Sequence, residues 1–168
     1  MGSQQIINLD RAEFVENPFP GPKERYGARI ALLSPRLGAK LLGYNLTVIE
    51  PGKAAFPRHN HWTNEELFLV LEGEGEVRIG DERYPLRKGD VLACPPGGTE
   101  TAHQIINTSD VEMKLFAVST QISAEMVEFP DSGKFGVIAM GPTGSDRKQR
   151  HFRFVSRPDQ SLDYWDGE

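Results

Sequence analysis

His59-Asn60-His61 places two imidazoles at positions i and i+2. Side chains alternate between the two faces of a β-strand, so both imidazoles of such a strand point the same way. Two convergent imidazoles on a rigid strand form half of a transition-metal site. Two carboxylates, Glu65 and Glu66, follow after Trp62-Thr63-Asn64. A third imidazole, His103, opens the run beyond Pro95-Pro96-Gly97-Gly98. Three neutral imidazoles and one carboxylate supply four ligands and one negative charge. An octahedral Mn, Fe, Co or Ni ion held this way keeps positions for water, O₂ or substrate, and zinc accepts the same donors. His151 has no such company and reads as a surface or packing residue.

The elements that must position these groups read as short strands. Turn signals recur at Pro51-Gly52, Gly73-Glu74-Gly75, Gly80-Asp81, Lys88-Gly89-Asp90, Pro95 to Gly98 and Asn107 to Asp110. Between them lie apolar or alternating runs at 40–50, 66–71, 75–79, 82–86, 91–94, 103–107 and 111–121. That rhythm predicts an all-β sandwich or barrel. Leu67 to Leu71 is apolar throughout, as in a strand covered on both faces. Gly73-x-Gly75 lacks the third glycine and following helix of a dinucleotide site and reads as a hairpin turn. Asn107 falls in an ordinary turn sequence and is given a structural role. Asp10 is placed to cap a short helix through Arg11 to Val15. Residues 141–150 are polar and glycine-rich and read as an excursion before a last strand at 151–155. Tyr164 and Trp165 are expected to fold back onto the barrel or onto a partner subunit.

Two stretches then carry a specific resemblance. Gly52, His59-x-His61, Glu66 and Gly73 are similar to the first motif of the cupin superfamily. Gly89, Pro95-x-Gly97, His103 and Asn107 resemble the second. The spacings before His59 and before His103 are longer than usual, and both differences fall in loops. Pro130-Asp131-Ser132-Gly133-Lys134 also resembles a group of small bacterial cupins. The resemblance covers roughly 41–129. It implies an all-β double-stranded β-helix, the cupin jelly-roll barrel with N- and C-terminal extensions (1–40 and 130–168) packed on the barrel or a partner, the whole of 1–168 forming one domain. It implies His59, His61, Glu66 and His103 as ligands of one divalent transition metal (Fe, Mn, Ni, Co or Zn). Glu66 is preferred to Glu65 because of its distance from Gly73. Tyr44, Phe68, Val70 and Trp62 are candidates for the substrate pocket, and no catalytic residue beyond the metal ligands is named. Small cupins pair through sheet edges, so a homodimer is expected, with 28–33 as the candidate contact.

The remaining arithmetic narrows the function. The chain has 168 residues, 38% hydrophobic and 26% charged, which fits one globular domain. A net charge of −5 argues against nucleic acid or an anionic membrane as main partner. No apolar run approaches the roughly 20 residues of a membrane span. Cys94 lies in an apolar stretch and reads as a small buried hydrophobe. One cysteine and an N-terminus without signal-peptide features fit a reducing compartment, and the cytoplasm is expected. The expected activity is that of a metal-dependent enzyme acting on a small polar molecule, of dioxygenase, decarboxylase or isomerase type. The alternative is a non-catalytic sensor or carrier whose metal anchors a small ligand.

Overall fold

A computed structural model describes residues 5–18, 20–140 and 151–168. Its strands are β1 (Val15–Glu16), β2 (Ala28–Leu32), β3 (Leu42–Ile49), β4 (Asn60–His61), β5 (Glu66–Glu72), β6 (Glu74–Ile79), β7 (Glu82–Arg87), β8 (Val91–Cys94), β9 (His103–Ile106), β10 (Met113–Thr120), β11 (Glu125–Phe129), β12 (Lys134–Met140) and β13 (His151–Ser156). A six-stranded sheet runs β1-β2-β3-β10-β5-β8, a four-stranded sheet β13-β12-β11-β4 and a three-stranded sheet β7-β6-β9. The pairings are antiparallel throughout. The excursion expected over 141–150 lies outside the described residues, as does the side chain of His151.

Alternation sorts the six-stranded sheet into two apolar layers. Ile49 of β3, Val70 of β5, Leu92 and Cys94 of β8 and Leu115 of β10 face inward. There they meet Val77, Leu86 and Ile105 from the small sheet. The other face carries Leu46, Ala31 and Leu33, with Tyr44, Leu71 and Phe116 beside them. The N-terminal residues Ile7, Leu9, Ala12 and Phe14 cover that face. Leu46 is fully buried, and its truncation to Ala would cost about 2–5 kcal/mol. Leu67, at the start of β5, stays partly exposed, so the run 67–71 is not covered at every position.

Two turns depend on glycine. Gly73, between β5 and β6, has φ +79°, and a Cβ there would stand 2.7 Å from the Glu112 carbonyl oxygen. Gly89, before β8, has φ +93°. Both conformations are costly for a residue with a side chain.

The structure corrects three expectations. The helix proposed after Asp10 is one 3-10 turn, Leu9–Arg11, capped by Asn8, whose Oδ1 accepts from the Asp10 amide at 2.8 Å. The chain then becomes extended at β1. Strand β1 pairs with β2 through Val15↔Ile30 and Glu16↔Arg29, while β3 covers the other edge of β2. Strand β2 is therefore interior to the sheet, and β1 occupies the edge of Ala28–Ile30 that a second copy would need. Of the two places expected for Tyr164 and Trp165, the barrel is not the one they take within this chain. They are exposed and pack edge to face on each other, 5.0 Å between ring centroids.

Candidate metal centre

The two histidine-bearing stretches are joined by backbone. His59 N donates to His103 O at 3.0 Å and His103 N to His59 O at 2.8 Å, a reciprocal antiparallel bridge. His61 stands on the same face two residues on, as the strand period requires. A loop glycine braces this arrangement: Gly97 N donates to His61 O at 2.9 Å, and Asn60 Nδ2 donates to Gly97 O at 2.9 Å. A Cβ on Gly97 would meet Thr101 at 2.5 Å. Glu66 enters from β5, which pairs with β8 and β10.

The side chains converge on one carboxylate oxygen. Glu66 Oε2 lies 3.8 Å from His59 Nε2, 3.4 Å from His61 Nε2 and 3.1 Å from His103 Nε2. Donor atoms of His59, His61 and Glu66 all stand within 4.8 Å of one another. His103 reaches the group through Glu66. Glu65 is exposed and takes no part, its amide donating to Thr120 Oγ1 at 3.0 Å. His59 Nδ1 donates to the Pro57 carbonyl oxygen at 2.8 Å. That fixes the tautomer and leaves the Nε2 lone pair facing Glu66.

The charges follow from burial and hydrogen bonding. Burial pushes the His59 imidazolium down to about 4, so this ring is neutral at neutral pH. Burial also opposes protonation of His61, but hydrogen bonding to Glu66 and the charges of Glu66 and Glu125 outweigh it and raise that ring. Burial would raise Glu66, yet hydrogen bonds from His103 and His61 hold its carboxyl well below the usual range. The centre combines an ionised carboxylate with imidazole nitrogens, the donor set of a divalent transition metal. Buried Nδ1 atoms of His61 and His103 lack a hydrogen-bond partner among the described residues, and imidazoles ligated through Nε2 would carry their protons there.

Aromatic rings enclose the centre. Phe56 and Phe129 lie 6.4 Å from His59, and Phe68 lies 5.8 Å from His103, all between centroids. Of the four pocket residues expected from the sequence, Phe68 adjoins the site and Val70 is buried in the inner core. Tyr44 belongs to the outer layer, 6.5 Å from Phe116, because its parity on β3 matches Leu46 rather than Ile49. Trp62 is half-exposed, and its indole donates to Glu128 Oε2 at 3.0 Å. None of the four lines the cavity of about 870 Å³ bounded by Arg58, Asp81, Glu128, Phe129 and Lys134 among others. Phe129 borders both that cavity and His59.

Cys94 is buried, and burial followed by the Glu66 charge pushes its thiol up to about 12, which disfavours the thiolate. Asn107 is fully buried; its amide donates to Ile49 O and Val111 O, and Ser109 N donates to its oxygen, a structural role. Sequence reasoning missed Glu125, which is buried 3.8 Å from His61 Nδ1. It lies 64 residues from His61 with no motif around it.

Comparison with known proteins places this geometry. A family model described as a cupin domain matches residues 45–119. Protein SchB of Streptomyces halstedii is 34% identical over 96 residues, covering 56% of this chain and 67% of SchB. The uncharacterized protein MJ1618 of Methanocaldococcus jannaschii is 36% identical over 61 residues. That match covers 36% of this chain and less than half of MJ1618, 46%. Among solved structures, a sugar phosphate isomerase from a cupin superfamily, from Silicibacter pomeroyi, superposes with TM-score 0.75 at 24% identity. It covers 96% of this chain and 98% of the other, and at that identity the likeness shows the fold alone.

Proposed function

This chain belongs to the cupin superfamily, and we propose that it is a metal-dependent enzyme acting on a small polar molecule, of isomerase, decarboxylase or dioxygenase type. The observation that carries the reading is the convergence of His59, His61 and His103 on Glu66 Oε2. These four residues would hold one divalent transition metal, whether Fe, Mn, Ni, Co or Zn. When bound, such an ion supplies Lewis acidity toward a coordinated oxygen.

The chain's own residues prepare the site. His59 is held neutral by burial and is correctly turned by its hydrogen bond to Pro57. Glu66 contributes a negative charge that favours a dication. Phe56, Phe68 and Phe129 set apolar rings beside His59 and His103, and a less polar surrounding strengthens electrostatic interactions there. Substrate would approach through the cavity that Phe129 borders, where Arg58, Lys134 and Glu128 present charge to a polar molecule. The full-length likeness to a protein named as a sugar phosphate isomerase makes phosphorylated sugars the first compounds to try.

The reading includes a homodimer and a cytoplasmic location. β13 ends its sheet order and carries exposed Phe152, Phe154 and Val155, so its edge replaces 28–33 as the proposed contact. A two-fold axis beside such an edge lets the strand pair with its own copy. A monodisperse monomer in solution scattering would refute that part. Cys94, unpaired and buried, is at home in a reducing compartment. No helix among the described residues is long and apolar enough to cross a membrane.

Elemental analysis of protein purified without an affinity tag tests the core of the proposal. About one metal per chain is expected, with turnover lost in His59→Ala while circular dichroism stays that of the wild type. Absence of metal from the folded protein, with none taken up on addition, would sink it. Thermal stabilisation by a ligand without product by mass spectrometry would favour the carrier reading instead.

A further inference from the structure

The segment joining His61 to Glu66 is held by a single buried carboxylate. Trp62 N and Thr63 N donate to Glu125 Oε1 at 3.1 and 3.3 Å, and Asn64 N donates to Oε2 at 2.9 Å. The Asn64 side-chain amide also donates to Oε2. Three successive amides on one carboxylate form a concave anion seat, which compensates the cost of burying the charge. The rest of the segment is tied to the same stretch of chain. Asn64 Nδ2 donates to Ile122 O at 3.0 Å, Ile122 N donates to Asn64 Oδ1 at 2.7 Å, and Thr120 Oγ1 donates to Asn64 Oδ1 at 2.9 Å. The connection between two members of the histidine–carboxylate group is thus docked on 120–125.

The same carboxylate faces the histidine. Glu125 Oε1 lies 3.8 Å from His61 Nδ1, a buried nitrogen without a hydrogen-bond partner among the described residues. An imidazole that ligates through Nε2 carries its proton on Nδ1 and needs an acceptor there. Glu125 is 6% exposed, so water does not readily take its place.

We propose that Glu125 is a positioning residue: it seats the His61–Glu66 connection on its carboxylate and accepts the Nδ1 proton of His61 when that ring ligates metal through Nε2. This rests on the metal-centre reading above. A glutamine at the same place supplies one acceptor oxygen: placed at Oε1 it sets its NH₂ against the two Asn64 donors, and placed at Oε2 it sets its NH₂ against Trp62 N, Thr63 N and His61 Nδ1–H. Either way part of the seat is lost, and so is the negative charge that faces His61 Nδ1.

The test compares wild type, Glu125→Gln and Asn64→Ala as metal-free protein titrated with Co²⁺ and with Zn²⁺. Affinity, the cobalt absorption spectrum and the melting temperature of the metal-free form are read together. Loss of an outer partner of a ligating histidine costs on the order of 10–100-fold in metal affinity. Glu125→Gln is expected to show that loss with an altered cobalt spectrum. Asn64→Ala, which spares the carboxylate facing His61, is expected to lose less. A Glu125→Gln protein that melts lower yet binds both metals with wild-type affinity and an unchanged spectrum overturns the proposal, for Glu125 is then structural only. If Glu125→Gln does not fold, the zinc-loaded wild type decides by NMR. A His61 Nδ1 proton protected from exchange supports the assignment, and one exchanging freely overturns it. Failure of wild type itself to bind either metal overturns the parent reading, which separates the two.

Discussion

Two carboxylates among the described residues are held below their usual range, and their surroundings differ in one respect. Asp131 accepts from Arg78 at 2.8 and 3.2 Å and from Arg58 at 3.3 Å. Arg78's hydrogen bonding is the main cause of its lowered carboxyl, with burial opposing and Arg58 assisting. Guanidinium groups are charged at every working pH, so Asp131 always has counter-ions. Glu66 is surrounded by imidazoles instead, of which His59 is neutral at neutral pH. Its charge is solvated by hydrogen bonds without a permanent counter-ion. Arg58 and His59 are consecutive residues, yet they serve different clusters. One carboxylate has permanent cationic partners, and the other has the composition of a site that awaits a cation.

Perturbing the two should therefore give different signatures. The largest effect is expected from His103→Ala. Its imidazole is the nearest of the three to Glu66, so metal affinity should fall on the order of 100-fold or more. The rise in melting temperature that metal gives the wild type should vanish with it. A smaller effect is expected from Asp131→Asn, which removes the nearer carboxylate charge from the buried Arg58 and leaves it that of Asp81 at 3.9 Å among the described residues. Unpairing a largely buried charge of this kind costs about 1–3 kcal/mol. That cost should appear equally in metal-free and metal-loaded protein, with the metal-induced rise intact. Thermal melts with and without Zn²⁺ read both quantities. Loss of the metal response in Asp131→Asn would erase the distinction between the clusters.

The strand-borne parts of the centre were legible because period-two alternation is local. His59 and His61 share a face from their spacing alone, and the runs read at 66–71, 82–86 and 91–94 lie within a residue of β5, β7 and β8. What escaped depends on layering and on distant contacts. Tyr44 has the right type for a pocket, but only the sheet's two-layer packing shows that its face of β3 meets the N-terminal segment. The edge at 28–33 was misread because Val15–Glu16, two residues long and exposed, gives no strand signal yet closes it. No strand was read at β11, and β12 was read as part of an extension, although the two form a hairpin and β11 pairs directly with β4 through Val127↔His61. Glu125 sits at the start of that hairpin and has no local signature, because its partners are backbone amides about 60 residues away.

The smallest expected effect is a pH dependence that isolates Asp131. Its folded carboxyl ionises below the ordinary value of 3.8. The stability its charge contributes is complete above that value and is lost as pH falls through the lower folded one. The histidines act in a different window. His59, pushed from 6.5 down to about 4, costs stability as pH falls across that interval, because the unfolded chain takes up a proton the folded ring resists. His61, raised above 6.5, works the opposite way: its contribution is complete below 6.5 and fades as pH rises through its folded value. The wild-type melting curve mixes these three with Glu66, whose lowered carboxyl acts in the same acid range as Asp131. The difference between wild type and Asp131→Asn, both metal-free, should cancel the histidines. That gap is expected to stay level from about pH 7 to pH 5 and to shrink below about pH 4. A gap that changes between pH 7 and 5 would mean that Asp131 titrates together with the imidazoles, and the two clusters would then be one.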